Sequence, residues 1–203
     1  VKTIKYERKQ KESWKSGYLR RIQMIANDVK DILISREELA EKCRELGARI
    51  SKDYEGKELV LVGILKGSVV FMTDLMKEIT IPCNIEFMEV SSYGSGAESS
   101  GVVKITKDLD EDVTGKHILI VEDIIDTGLT LSYLVEYLKA RKAVGTDIVC
   151  LLNKKERRVR DIPVTYVGFE VPDEFIIGYG IDYAEKYRNL PYVASLKDEI
   201  YKK

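Results

Sequence analysis

The densest concentration of reactive side chains in this 203-residue chain is the run Val121-Glu122-Asp123-Ile124-Ile125-Asp126-Thr127-Gly128-Leu129-Thr130. Glu122, Asp123 and Asp126 offer carboxylates that can bind hydroxyls, a metal ion or a proton. Thr127, Gly128 and Thr130 are small, and small residues at a helix start leave backbone N–H groups open to a phosphate. Carboxylates beside a phosphate cradle imply a substrate that is anionic at one end and rich in hydroxyls, or cationic, at the other. A phosphosugar fits that description.

Such a run works only if rigid elements hold it. His117 to Val121 is apolar and β-branched, the pattern of a buried strand, so the acids after it open a polar loop that leads into a helix. Ligands of α/β sheets sit at junctions of this kind. Leu131, Leu134, Val135 and Leu138 form the buried face of the helix, with Gly145 just beyond its end. Upstream, Ser35 and Glu38 make a capping box, and Leu39, Cys43, Leu46 and Ile50 share one face of a helix from about Arg36 to Lys52. Leu59 to Leu65 is apolar on both faces, as in a strand covered by helices on two sides. A second helix, carrying Met72, Leu75, Met76 and Ile79, stops before Pro82. Strands are expected near Asn84 to Val90 and Val102 to Thr106 as an antiparallel pair, and at Asp147 to Leu152, Val164 to Phe169 and Tyr192 to Leu196. The Gly/Ser-rich segment from Ser91 to Gly101 is either a lid or a slack hairpin tip. Strands alternating with helices predict an α/β domain with a mostly parallel, twisted sheet flanked by helices.

Charge and composition narrow the function classes. Thirty-four acids nearly cancel 33 bases, for a net charge of -1, so no field strong enough to gather nucleic acid non-specifically is expected. Cys43, Cys83 and Cys150 are widely spaced in apolar contexts and read as small core residues in a reducing, cytoplasmic setting. No apolar run is long enough to span a bilayer. His117, the single histidine, opens a strand and reads as structural. Residues 1–27 form an N-terminal extension, Lys/Arg-rich up to about Gln23, with Trp14 lacking obvious partners. They read as a solvated, disordered arm, as a nucleic-acid- or membrane-binding arm, or as sequence that is not native. On that last reading Met24 is the true start, and Arg20-Arg21 is encoded by a purine-rich ribosome-binding stretch. Residues 28–203 form the domain proper.

Val121 to Thr130 resembles the phosphoribosyl-pyrophosphate (PRPP) motif of type I phosphoribosyltransferases: an apolar run, two acids, two apolar residues, Asp-Thr-Gly and a further Thr. The companions sharpen the resemblance to the bacterial branch that acts on hypoxanthine and guanine. They are Leu65-Lys66-Gly67-Ser68 after the first buried strand, Ser91-Ser92-Tyr93-Gly94 at the lid, Pro172 to Tyr183 near the end, and Tyr187-Arg188-Asn189-Leu190-Pro191. The similarity runs from about Asp28 to the C-terminus. It implies the type I fold, with a small hood built from the chain ends over the sheet.

The resemblance also implies roles. Asp126 matches the general base, and Asp126, Thr127, Gly128, Leu129 and Thr130 the 5′-phosphate loop. Glu122 and Asp123 match the ribose-hydroxyl ligands, directly or through Mg²⁺, with Asp182 serving a second Mg²⁺. Lys66, Gly67 and Arg188 match pyrophosphate ligands, and in the family the peptide bond before this lysine is often cis. Phe175 would stack on the purine, the Ile176 backbone would read its edge, Asp182 borders the same pocket, and Lys154 would donate to the 6-oxo group. Ser92 and Tyr93 would lead the lid. The implied partners are PRPP and a 6-oxopurine, with neither membrane nor nucleic acid, in a homodimer or homotetramer. The chain departs from the family at Leu129, where several relatives carry Lys, and at Asn153 and Lys155, where bacterial relatives often have Asp and Pro. A xanthine-preferring enzyme, and a non-catalytic regulator that binds nucleic acid, are the competing readings.

Overall fold

The computed structural model describes residues 27–92 and 103–202. Strand β1 (Val29–Ile34) leads into helix α1 (Arg36–Asp53), β2 (Leu59–Leu65), α2 (Val69–Glu78), β3 (Cys83–Ser92) and β4 (Val103–Lys107). Then come β5 (His117–Ile125), α3 (Leu129–Ala140), β6 (Gly145–Asn153), a 3-10 turn (Lys155–Arg157), β7 (Tyr166–Glu170), β8 (Ile176–Ile177), β9 (Val193–Leu196) and the single-turn α4 (Asp198–Tyr201).

The main sheet has the order β4-β3-β2-β5-β6-β7, parallel except for the antiparallel edge strand β4. Its apolar runs divide between the two faces. Leu59, Leu61, Leu119 and Val121 pack with α1 and α2, through Leu39, Cys43, Leu46, Phe71 and Leu75. Val60, Val62, Ile118 and Ile120 pack with α3, through Leu131, Leu134 and Leu138. Burial on both sides is the reason β2 reads as one continuous apolar run. The capping box forms as expected: Ser35 Oγ accepts from the Glu38 N–H while the Glu38 carboxylate accepts from the Ser35 N–H. The expected antiparallel pair forms as β3 and β4; Val102, at the expected start of the second strand, lies outside the described residues.

A second sheet, β1-β9-β8, is antiparallel and joins the first described strand to the last two. This is the hood. It has its own small core of Ile177, Tyr187, Leu190, Ala194 and Leu196, with Phe175, Tyr183 and Tyr201 packed against it.

Several expectations are corrected. Strand β5 does not stop at Val121 but runs to Ile125, paired with β6 at Glu122↔Cys150, Ile124↔Leu152 and Ile125↔Asn153. Glu122 and Asp123 are therefore strand residues rather than loop residues, because main-chain pairing to β6 continues past the point where the side chains turn polar. Gly145 does not terminate α3. Arg141 follows the last helical turn, Lys142 takes the left-handed conformation at φ 63, and Gly145 opens β6. A Cβ at Gly145 would stand 3.2 Å from the His117 ring, and His117 opens β5 as expected. Cys43 and Cys150 are buried and Cys83 half-buried, all three as free thiols. Burial pushes the Cys150 thiol up to about 12, as suits an unreactive core residue.

Candidate active site

Sequence-adjacent β2 and β3 lie to one side of β5, and β6 and β7 to the other, so the strand order reverses between β2 and β5. Crevices outside the carboxyl ends of parallel strands at such a reversal are the ligand sites of open α/β sheets. Three loops leave the sheet there: Lys66-Gly67 after β2, Asp126-Thr127-Gly128 after β5, and Lys154 after β6.

The loop after β5 is shaped for an anion. Gly128 stands at the N-cap of α3 with φ +80, and no side chain caps the helix. A Cβ at Gly128 would come within 2.7 Å of the Arg160 carbonyl, so the turn requires glycine on both conformational and steric grounds. The Thr127 carbonyl accepts from the N–H groups of Val159 at 2.9 Å and Arg160 at 3.0 Å, and its hydroxyl accepts a long bond from the Leu129 N–H at 3.4 Å. Thr127, Gly128, Leu129 and Thr130 are thus held together at a helix start, whose first N–H groups have no partner within the helix.

The two strand carboxylates are crowded and poorly solvated. Oε2 of Glu122 is buried with no hydrogen-bond partner among the described residues. Burial, reinforced by the neighbouring Asp123, raises the Glu122 carboxyl well above the usual range. Burial pushes Asp123 up to about 6, against hydrogen bonds from the backbone N–H groups of Ile124 and of Asp123 itself and the nearby Arg188 cation. Such a pair is suited to hydroxyl donors or to a cation.

The peptide bond Leu65-Lys66 is cis. A Cβ at Gly67 would lie 1.7 Å from Oδ2 of Asp123, and one at Gly180 would lie 2.1 Å from the Gly67 carbonyl. The loop after β2 is therefore packed between Asp123 and the segment that carries Asp182 and Arg188. Arg188 donates to the Gly180 carbonyl at 2.8 Å and pairs with Asp182 at 2.8 Å, while its Nε has no hydrogen-bond partner among the described residues. Glu185, absent from the sequence-based site, stands between the two cations, 3.2 Å from Lys66 and 3.6 Å from Arg188.

The residues expected at a base line one cleft of 460 Å³: Asp126, Lys154, Phe175, Ile176 and Asp182, with Ile124 and Ile181 as apolar walls. Lys154 is buried, donates to the Glu174 carbonyl at 2.6 Å and pairs with Asp173 at 3.5 Å. An ammonium has three donors, so it can still offer a hydrogen bond to the cleft. The departure at Asn153 has a structural role. Its amide donates to both oxygens of Glu170 at 3.1 Å and accepts from the Arg158 guanidinium. Lys155 instead makes an exposed ion pair with Glu170 at 2.9 Å.

Sequence reasoning missed Arg157 as well as Glu185. Oδ1 of Asp126 is shielded from solvent 3.2 Å from Arg157 Nε, an ion pair without hydrogen-bond alignment, and Arg157 also approaches Asp173 at 3.6 Å. A 3-10 turn places positions i and i+3 on one face, so the basic run from Lys154 to Arg157 held a signal for it. Glu185 gave none: Arg188 stands three residues on, but Lys66, the other cation it meets, comes from a different loop. Ser92 ends β3, paired with Val103, and Tyr93 lies outside the described residues.

Among the described residues, no three of His, Cys, Asp or Glu come together as a self-sufficient metal cage. The donor set of Glu122, Asp123 and Asp182 fits an ion that takes only one or two protein carboxylates and completes its shell with substrate oxygens and water, the habit of Mg²⁺. No helix among them is long and apolar enough to cross a membrane.

Known proteins share this arrangement. The phosphoribosyl transferase domain model matches residues 30–184. The chain is 50% identical over 207 residues to the bifunctional protein TilS/HprT of Listeria monocytogenes, covering 99% of this chain and 32% of that protein. It thus spans about a third of the length of such relatives. It is 53% identical over 175 residues to a hypoxanthine-guanine phosphoribosyltransferase of Staphylococcus aureus, covering 86% of this chain and 98% of that one. A crystal structure of a hypoxanthine phosphoribosyltransferase from Staphylococcus aureus matches with a TM-score of 0.87 at 51% identity, over 89% of this chain and 98% of that one. With its motif at the sheet's point of reversal and its family model covering most of its length, the chain belongs to the phosphoribosyl transferase family.

Proposed function

We propose that the protein is a purine-salvage enzyme that transfers the phosphoribosyl group of PRPP to hypoxanthine or guanine, giving IMP or GMP and pyrophosphate. The observation that carries this reading is the position of Asp126. Its carboxylate lines the base cleft and begins the phosphate-binding turn, so base and sugar phosphate meet at one residue.

The ring nitrogen of the purine attacks C1′ of the ribose while the bond from C1′ to the pyrophosphate oxygen breaks, its electron pair leaving with pyrophosphate. Asp126 accepts the proton that the purine ring gives up. Thr127 to Thr130 anchor the 5′-phosphate, and Glu122 and Asp123 hold the ribose hydroxyls while their charge favours a sugar gaining positive charge. Lys66, the Gly67 backbone and Arg188 receive pyrophosphate, which must displace Glu185 from between the two cations. Glu122, Asp123 and Asp182 are the residues that would hold Mg²⁺, which when bound neutralises charge on the leaving group. Phe175 stacks on the base, and the Ile176 backbone reads its edge. Lys154 donates to the 6-oxo group and rejects adenine, whose amino group would leave two donors facing each other. Ser92 and Tyr93 lead a lid that excludes water during transfer.

We place the enzyme in the cytoplasm, as a homodimer or homotetramer. We assign the catalytic unit to residues 28–203, and an alignment over 99% of the chain supports a counterpart of residues 1–27 in the longer relatives. The test is nucleotide formation by purified protein with PRPP, Mg²⁺ and each of hypoxanthine, guanine, xanthine and adenine. Turnover of hypoxanthine and guanine is expected. Preference for xanthine would reassign the base, and no turnover with any base would overturn the enzymatic reading.

A further inference from the structure

The last helical turn also belongs to the base cleft. Tyr201 and Lys202 line the same cavity as Asp126 and Lys154. The Tyr201 ring lies 4.6 Å from Phe175, centroid to centroid, with the planes tilted by 30°, and Tyr183 meets Phe175 nearly edge-on at 5.2 Å. Phe175 is half-buried and has no polar atom, so packing alone fixes its plane.

The turn itself is fastened in place. The Leu196 N–H donates to the Phe175 carbonyl at 2.8 Å, and β9 pairs with β8 at Ile176↔Ser195, so the segment preceding Tyr201 is tied to the backbone of the base-binding residues. The Tyr201 hydroxyl donates to Asp198 at 2.8 Å, and Lys202 pairs with the other oxygen of that carboxylate at 2.8 Å. A tyrosine held at both ends offers a rigid face with few rotors to freeze.

We propose that Tyr201 is a positioning residue for the base: it fixes the plane of Phe175 and walls the outer side of the cleft. This rests on the function proposed above. A stacked purine gains only if the ring it stacks on is already oriented, since any freedom of Phe175 must be lost on binding. The hydroxyl serves the turn, and the ring serves the cleft.

The experiment is steady-state kinetics on the full chain with PRPP and hypoxanthine or guanine. Tyr201→Ala is expected to raise KM for the base roughly 3- to 10-fold, the range set by an aromatic pair, while leaving KM for PRPP and saturated kcat within about twofold of the parent. Tyr201→Phe keeps the ring and gives up only the exposed bond to Asp198, so its KM for the base should stay within about twofold of the parent. If Tyr201→Ala does not fold, Tyr201→Leu, which keeps an apolar plug without an aromatic face, should show the same selective rise. Equal shifts in both KM values, or none, overturn the proposal, as does a base KM for Tyr201→Phe outside that range. A parent protein that turns over no 6-oxopurine overturns the functional reading and this inference with it. An active parent matched by its alanine variant overturns this inference alone.

Discussion

On the function proposed above, Glu122 to Thr130 reach the sugar phosphate from consecutive positions on one strand, one turn and one helix start, whereas the cleft assigned to the base gathers Asp126, Lys154, Phe175, Asp182 and Tyr201 from separate segments. The first half is bolted to the middle of a six-stranded sheet and shares its core. The second half hangs partly on a three-stranded hood with a small core of its own. A rigid sheet edge suits the part of the substrate whose charge must be neutralised in fixed geometry, and a lighter hood suits the part that must enter and leave.

If the halves are separable, changes in one should leave the other's affinity intact. Asp126 is the exception, since it serves both. Asp126→Asn keeps the shape but cannot take the proton, so kcat should fall by roughly 10²- to 10⁴-fold; a loss under fivefold would remove the general-base role. Gly67→Ala probes the sheet side. Its new methyl would collide with Asp123 and displace two of the groups assigned to PRPP, so KM for PRPP should rise by order tenfold, about 1.4 kcal/mol of lost binding. The KM for the base should hold, and an equal rise in both would break the comparison.

Arg157→Ala probes the base side more gently. Both members of its pair with Asp126 are substantially exposed, and exposed pairs contribute about 0.2–1 kcal/mol. The base kcat/KM should therefore change by less than about fivefold, with PRPP affinity unchanged by calorimetry. The smallest effect lies at the seam between hood and sheet, where Tyr179 donates to Asp74 of α2 at 2.7 Å. Burial would raise the Asp74 carboxyl, but hydrogen bonds from Lys77 and Tyr179 more than offset it, and its pKa lies below the usual range. A carboxyl depressed on folding adds stability that is full above about 4, its unfolded value, and lost as pH falls through the lower folded value. Asp74→Asn should lower Tm at neutral pH and show a shallower loss on acidification; parallel Tm profiles would remove the linkage.

The same contrast explains what was legible in the sequence. The strand, the turn and the helix start stand in chain order, so periodicity and the glycine at Gly128 located the phosphate half. The chemistry of Glu122 and Asp123 was legible, but their place was not. Continued pairing with β6 keeps them in the strand, and no side-chain pattern records that. Strand β8 was missed because it has only two residues, and β1 because Lys30 and Asp31 break its alternation over six residues; both are completed by pairing with β9. Lys154, Phe175 and Asp182 were identified by resemblance, since nothing in their local pattern points to a shared cleft. Glu185 meets Lys66, and Tyr201 meets Phe175, only through contacts between distant segments.

The division of labour between the two halves is tested most directly by one paired calorimetric measurement. PRPP with Mg²⁺, and separately GMP, are titrated into Asp123→Asn and Lys154→Ala proteins alongside the parent. Asp123→Asn is expected to lose PRPP affinity by at least about tenfold, a loss of about 1.4 kcal/mol. Lys154→Ala should keep PRPP affinity and lose GMP affinity. Equal loss of both ligands in both variants would contradict that division.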